Sequence, residues 1–511
     1  MKYLAAYDFG TGGLKSSIFD ERGVSAASVF RQCETFYPAP EWREQRPGDW
    51  WDMFRAGTKE LLTLADAAGI ERKDIAALAC SGHSLGVVPL DKDGNVLADY
   101  VPIWNDARAR AEAEAVFAGL DEEAWYMKTG NGFPPPLYAA FKIRWYKEHK
   151  RELYDAASVF VGTKDYLNFR LTGALVTDHS YASGSGVYDL VKGTYDRDYI
   201  RAFELRESDF PPPVESSRII GRVKPEIAAE LGLPPDLPVA AGGVDNACMA
   251  AGAGCVTEGS VYTSLGTSAW IAVSSRRPVL KAGTRPYVFA HLVKGMYTSA
   301  ESIFSAGNTH RWIRDTLCPD LLEKEKAGGE NAWTAMEKLA LESPLGARGL
   351  IFIPTLAGAT ARDKSPNAKG ALTGLTLRHN RGDIIRSALE GICMGLRNAL
   401  EELRSIVPLA EEMLIVGGGA KSPLWRQILA DIYGMDIHVP AAGENAGSLG
   451  AMACAAVGAG FWKDFSPLAE LNKPASAASC IKENREAYDK YYPVFLKVND
   501  QQSEIADYKT I

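Results

Sequence analysis

The stretch that most constrains this chain is Leu4-Ala5-Ala6-Tyr7-Asp8-Phe9-Gly10-Thr11-Gly12-Gly13-Leu14-Lys15-Ser16-Ser17-Ile18-Phe19. An apolar run, an acid, a Gly/Thr turn and a second run that ends apolar predict strand, tight turn, strand. Glycines at 10, 12 and 13 let the backbone approach a ligand and point N–H groups at an anion. Thr11 adds a hydroxyl, Lys15 a cation, and Asp8 a carboxylate able to hold a hard metal through water. These parts suit a metal–polyphosphate, although a plain hairpin whose turn needs glycine is written with the same letters. No G-x-x-x-x-G-K-[ST] occurs, so the grip is not a P-loop.

A second copy strengthens the ligand reading. Val261 to Val273 is again strand, Gly-Thr turn, strand, and Leu265-Gly266-Thr267-Ser268 overlays Phe9-Gly10-Thr11-Gly12. The overlay puts Ser264 at the place of Asp8 and Ile271 at that of Lys15, so only the first copy is charged. Two related hairpins suggest two similar lobes facing one polyphosphate. A chain of 511 residues is long enough for two large α/β lobes. Its net charge of −8 argues against nucleic acid as a partner. Eight scattered cysteines without C-x-x-C read as reduced thiols of a cytoplasmic protein. Lys2 is followed by few apolar residues before Asp8, so no signal peptide is expected. The longest apolar stretch, 446–462, reads as a tightly packed core helix and not a membrane span.

Along the chain, 24–30 predicts a third strand. Asp49 is expected to cap a helix with Trp50, Trp51, Phe54, Leu61, Leu62 and Leu64 on its apolar face. Gly82-His83-Ser84-Leu85-Gly86 spells the G-x-S-x-G elbow of serine hydrolases, which requires a helix directly after the turn. Here Val87-Val88-Pro89-Leu90 predicts a strand, so the segment reads as a strand-end loop whose polar residues touch substrate. Trp104-Asn105-Asp106-Ala107-Arg108 precedes a helical run.

Gly242-Gly243-Val244-Asp245-Asn246 ends a strand where a helix of small residues begins. Taken alone, Asp245 reads as an N-cap. In a Gly-lined cleft, an ionised Asp245 could instead take a proton from a substrate hydroxyl. Asp383 is a plausible N-cap for a long helix. Gly417-Gly418-Gly419 leads into Ser422, a good N-cap, with Pro423 at the first helical position and Gly434 ending the helix. Three glycines before a helix start favour a nucleotide lying against backbone.

These residues resemble the FGGY carbohydrate kinases over nearly the whole chain, and within them most closely the xylulokinases. The first phosphate motif matches at Asp8, Gly10, Thr11 and Lys15, the second at 265–268, and the adenosine motif at 417–420. The family's second signature fits in full from Gly370 to Glu390. Its first signature, around Lys142 and Trp145, fits in part. The resemblance implies a two-lobed α/β fold of the actin/hexokinase/Hsp70-like (ribonuclease H-like) kind, with ATP and Mg²⁺ in a central cleft. The N-terminal lobe would span 1–243 and carry the sugar and phosphate/metal site; the C-terminal lobe would span 244–511 and carry the nucleotide.

It further implies Asp245 as general base and Asp8 as metal residue. The sugar would contact His83, Ser84, Leu85, Trp104, Asp106, Arg108, Asp245 and Asn246. Nucleotide and phosphates would contact Gly10, Thr11, Gly12, Lys15, Gly266, Thr267, Gly307, Arg311, Gly418, Gly419 and Ser422. The implied reaction is D-xylulose to D-xylulose 5-phosphate, with another ketose or polyol such as ribulose or glycerol as the alternative. A serine hydrolase and a non-enzymatic actin-like ATP-binding protein are the remaining readings, and a homodimer is reasonable. One departure stands out: xylulokinases carry Gln-Met-His where this chain reads His83-Ser84-Leu85.

Overall fold

A computed structural model of the chain describes residues 1–472 and 474–508. Internal packing divides it into two units. The first comprises Met1–Thr257, Ser274–Ser299 and Asn445–Asn472; the second comprises Glu258–Val273, Ala300–Glu444 and, of the described residues, 474–508.

The first unit's sheet grows outward from the N-terminal hairpin. Tyr3–Gly10 pairs antiparallel with Gly13–Asp20, Gly10 facing Gly13 across the turn, and Ser25–Gln32 adds a third antiparallel strand. Gly13 has φ +153°, and a Cβ there would overlap the Arg31 carbonyl, so the turn requires glycine. On its other side Tyr3–Gly10 lies parallel to Ile75–Gly82, which lies parallel to Pro238–Val244; antiparallel Ile219–Arg222 forms the edge. The central strand Ile75–Gly82 is buried along nearly its whole length, which explains its unbroken run of small and apolar residues.

The second unit repeats this order. Val261–Leu265 pairs antiparallel with Ala269–Ser275 and parallel with Glu412–Val416. Asp436–Pro440 continues in parallel, and antiparallel Pro474–Ala478 closes the series. The shared strand order supports a duplication that the short sequence identity could not prove. The overlay of the hairpins is corrected in one respect. The first turn places two residues, Thr11 and Gly12, between the paired Gly10 and Gly13. The second places three, Gly266 to Ser268, between the paired Leu265 and Ala269. Asp8 therefore faces Lys15, whereas Ser264 faces Trp270 and not Ile271.

Helix starts depart from expectation by a few residues. Pro47–Ala67 begins at Pro47, with Arg46 as cap and Asp49 inside the first turn. The fixed φ of Pro47 starts the helix ahead of the expected cap. Leu64, assigned to the apolar face, is 42% exposed; the other five side chains are buried. Arg381–Ile406 is capped by Asn380, whose side chain accepts from the Asp383 amide while Asp383 accepts from the Asn380 amide. Asp383 is thus the reciprocal partner of a capping box. Ser422 caps Pro423–Tyr433, and Gly434 ends it in the left-handed region, as expected. Ser84 is followed by the strand Val88–Leu90, so the elbow's obligatory helix is missing. Among the described residues no helix is long and apolar enough to cross a membrane.

Candidate active site

Asp8 lies on the hairpin's first strand, facing Lys15 on one side and Ser81 on the other. Burial pushes its carboxyl above the ordinary value, while the Ser81 hydroxyl and the Lys15 ammonium pull the opposite way. Asp245 opens the helix Asp245–Gly252, directly after the strand Pro238–Val244. The cap is Val244, so Asp245 is not the N-cap considered from sequence. Its Oδ1 accepts from the Asn246 amide at 2.8 Å. Burial, and then the negative charge of Asp8, push the Asp245 carboxyl up to about 7. The two carboxylates, remote in sequence, therefore feel each other.

Glycines bring them together. The apolar 446–462 stretch is a buried helix, Ala446–Gly458, packed on both the Asp245 helix and the Asp8 strand. A Cβ on Gly252 would overlap the Ala446 carbonyl, and one on Gly450 the Cys248 carbonyl, so these helix backbones touch. At the start of the same helix, a Cβ on Gly447 would overlap the Asp8 carboxylate, with Asp8 Cγ only 2.9 Å away. At Gly242, φ is +70° and a Cβ would lie 2.9 Å from the Cys80 carbonyl carbon, so the strand bearing Asp245 also requires glycine.

The second unit holds a cavity of about 650 Å³. Gly266, Thr267, Gly307, Arg311, Gly418, Gly419 and Ser422 all line it, so every second-unit residue expected at a nucleotide faces one space. The helix Gly307–Leu317 is docked onto the second hairpin: the Gly307 amide donates to Gly266 O at 2.9 Å, and the Asn308 amide to Thr267 O at 3.0 Å. A Cβ on Gly418 would meet nothing within 4 Å, so that backbone is bare towards the cavity. His310, Trp333 and Glu337 also line it and carry no sequence signal. The His310 ring lies 4.8 Å from Trp333 and 5.3 Å from Trp425 between ring centroids. Burial pushes it down to about 4, which keeps it neutral. Glu337 accepts from Ser422 Oγ at 2.7 Å and the Leu424 amide at 2.8 Å, fixing the loop after the glycines.

Two family profiles cover most of the chain. That of the FGGY carbohydrate kinase N-terminal domain matches residues 3–252, and that of the C-terminal domain residues 261–459. The chain belongs to the FGGY family of carbohydrate kinases. A xylulose kinase of Bacillus subtilis (strain 168) is 27% identical, with 100% of each chain covered. The solved xylulose kinase of Rhodospirillum rubrum superposes with a TM-score of 0.88 at 28% identity, covering 99% of this chain and 100% of that one. A gluconate kinase from Lactobacillus acidophilus reaches a TM-score of 0.89 at 25% identity, with 98% of each chain covered. This is a carbohydrate kinase of the two-domain actin/hexokinase-like fold, which implies a sugar and ATP as its substrates.

The remaining residues expected at a sugar fall into two groups. Trp104 Nε1 donates to Thr11 Oγ1 at 2.8 Å, tying the 104–108 segment to the N-terminal hairpin. Asp106 and Arg108 form a buried hub instead. Asp106 accepts from the Arg43 amide at 2.6 Å and from Arg108 Nε at 2.8 Å, while Arg108 also reaches Glu44 at 2.7 Å. The Arg108 guanidinium sits 3.8 Å from the Trp42 ring centroid. The His83 ring is likewise turned inward, 5.6 Å from Trp50, and burial holds it at about 4. Its amide donates to Phe9 O at 2.8 Å, which fixes the loop start. Asp106→Ala leaves Arg108 buried with one partner fewer and is expected to cost about 3 kcal/mol. A urea titration would read this as a lower midpoint at unchanged slope.

Proposed function

We propose that this FGGY kinase transfers the γ-phosphoryl group of ATP to D-xylulose, giving D-xylulose 5-phosphate, with Asp245 as general base. The observation that carries the reading is the partly buried Asp245 carboxylate, held near neutrality by burial and by Asp8. A base with a pKa near the working pH both accepts and releases a proton readily. Asp245 takes the proton of the attacking hydroxyl as its oxygen bonds to phosphorus and the bridge to ADP breaks. Sugar contacts come from Ser84, Leu85, Trp104 and Asn246, with His83, Asp106 and Arg108 supporting them. Gly10, Thr11, Gly12, Lys15, Gly266 and Thr267 attend the phosphates. Gly307, Arg311, Gly418, Gly419 and Ser422 attend the rest of the nucleotide.

Mg²⁺ fits the first unit. Two desolvated carboxylates share one region, and among the described residues no cluster of three or more His, Cys, Asp or Glu would strip a metal of its water. A cation held at Asp8 through water suits that donor set. When bound, Mg²⁺ supplies charge neutralisation for the phosphates.

The xylulose kinase relatives support D-xylulose, and the likeness to a gluconate kinase makes an aldonate the second reading. ADP release with Mg·ATP over D-xylulose, D-ribulose, glycerol and D-gluconate tests this directly. D-xylulose is expected to give the highest kcat/KM. A clear preference for gluconate would replace the first reading with the second, and no turnover on any sugar would remove the site assignment.

A further inference from the structure

Lys142 lies on the helix Ala139–His149 and is fully buried. Its Nζ donates to three backbone carbonyls: Ile103 at 2.7 Å, Leu85 at 3.0 Å and Trp104 at 3.3 Å. Leu85 and Trp104 belong to the segments expected at the sugar, 83–85 and 104–108, and Ile103 directly precedes the second. Among the described residues no carboxylate neutralises the ammonium by contact. Asp106, the carboxylate whose charge it feels, is engaged with Arg108 and the Arg43 amide. Burying an ammonium among carbonyls alone is expensive, and burial pulls Lys142 down to about 7. An apolar side chain would fill this volume without that cost, so the packing of the helix does not explain a lysine.

The carbonyl geometry does. Leu85 has φ +61°, a left-handed conformation uncommon for a residue with a Cβ, and its carbonyl is one of the three held by Lys142. On the other loop, consecutive carbonyls at 103 and 104 are held together, and Trp104 then reaches Thr11 of the hairpin. One nitrogen thus connects the loop after the Ile75–Gly82 strand, the 103–105 loop and, through Trp104, the phosphate hairpin. We propose that Lys142 is a positioning residue, a clamp that sets the spacing of the two loops against which the sugar is held. This rests on the sugar placement proposed above.

The test uses the full chain carrying Lys142→Met, with Lys142→Gln as a milder second variant that keeps N–H donors. Amide hydrogen exchange is followed in peptides covering 83–87 and 103–106, with the helix Gly307–Leu317 as the control. Exchange in the two loop peptides is expected to quicken by about tenfold, with less change in Lys142→Gln and none in the control. The KM for D-xylulose is expected to rise about tenfold while the KM for ATP stays within about twofold, since small misplacements of positioning groups have large effects. Unchanged loop exchange in both variants overturns the clamp. Faster exchange throughout the first unit overturns it too, by making Lys142 an ordinary core residue. Faster loop exchange with an unchanged sugar KM leaves the clamp standing and overturns the sugar placement. The exchange measurement needs no sugar, so the two failures are told apart.

Discussion

Asp245→Asn is expected to lower kcat by ~10²–10⁴-fold, the range lost with a general base, while the protein stays folded and gains stability at pH 8. Both effects come from the same carboxylate. In the folded chain Asp245 is pushed from 3.8 up to about 7 by burial and by Asp8. Below pH 4 the carboxyl is protonated whether folded or unfolded. Between 4 and 7 the folded state binds more protons than the unfolded one, so stability falls as pH rises through that window. Asparagine is neutral throughout and escapes the loss. The variant's Tm should therefore exceed the parent's at pH 8 and match it near pH 4, by calorimetry at both values. In the parent, kcat/KM should fall on the acid side of about 7, and Mg²⁺ near Asp8 should move that midpoint lower by offsetting the charge. A variant that turns over normally, or that is less stable at pH 8, would show that Asp245 carries no such burden.

The hairpins and their strands were legible because each obeys a local rule. Apolar runs on either side of a Gly-Thr turn leave few alternatives, and the second-unit residues drawn from the motifs do line one cavity. Helix starts were less legible, because several residues near an end can satisfy the same amides. As cap, Asp49 gave way to Arg46, set by Pro47 at the first helical position, and Asp383 to Asn380. What sequence could not show was which polar side chains are already engaged. Asp106 and Arg108 read as substrate contacts, yet each completes the other's hydrogen bonds with Arg43 and Glu44. Those partners become visible only in three dimensions. His310 and Trp333 were missed for the converse reason: one surface-helix aromatic looks like another until a cavity opens beside it. The helix Ala446–Gly458 lies between these cases. Its small residues announced close packing, but nothing in their spacing said that Gly447 would lie against Asp8.

Gly447→Ala and Gly450→Ala, three residues apart on that helix, are expected to have opposite effects. At Gly450 the new methyl would overlap the Cys248 carbonyl, and Cys248 Cα would be 2.7 Å away. Backbone cannot rotate aside, so the two helices must separate, at a cost of about 3 kcal/mol. At Gly447 the three atoms nearest the new methyl all belong to the Asp8 side chain. That carboxylate can turn away, and alanine is the better helix former by about 1 kcal/mol, so stability should hold or rise slightly. Activity should not. An Asp8 carboxylate displaced by an ångström or so would no longer face the Mg²⁺ proposed there, and losses near 10²-fold in kcat are the scale for such misplacement. The Mg²⁺ concentration giving half-maximal rate should rise by about 10–100-fold, as it does when a neighbour of a metal ligand is disturbed. Thermal unfolding and a Mg²⁺ titration on both variants separate the outcomes. A Gly447→Ala protein with parental Mg²⁺ dependence would remove Asp8 from the metal, because the clash leaves that carboxylate nowhere to stay.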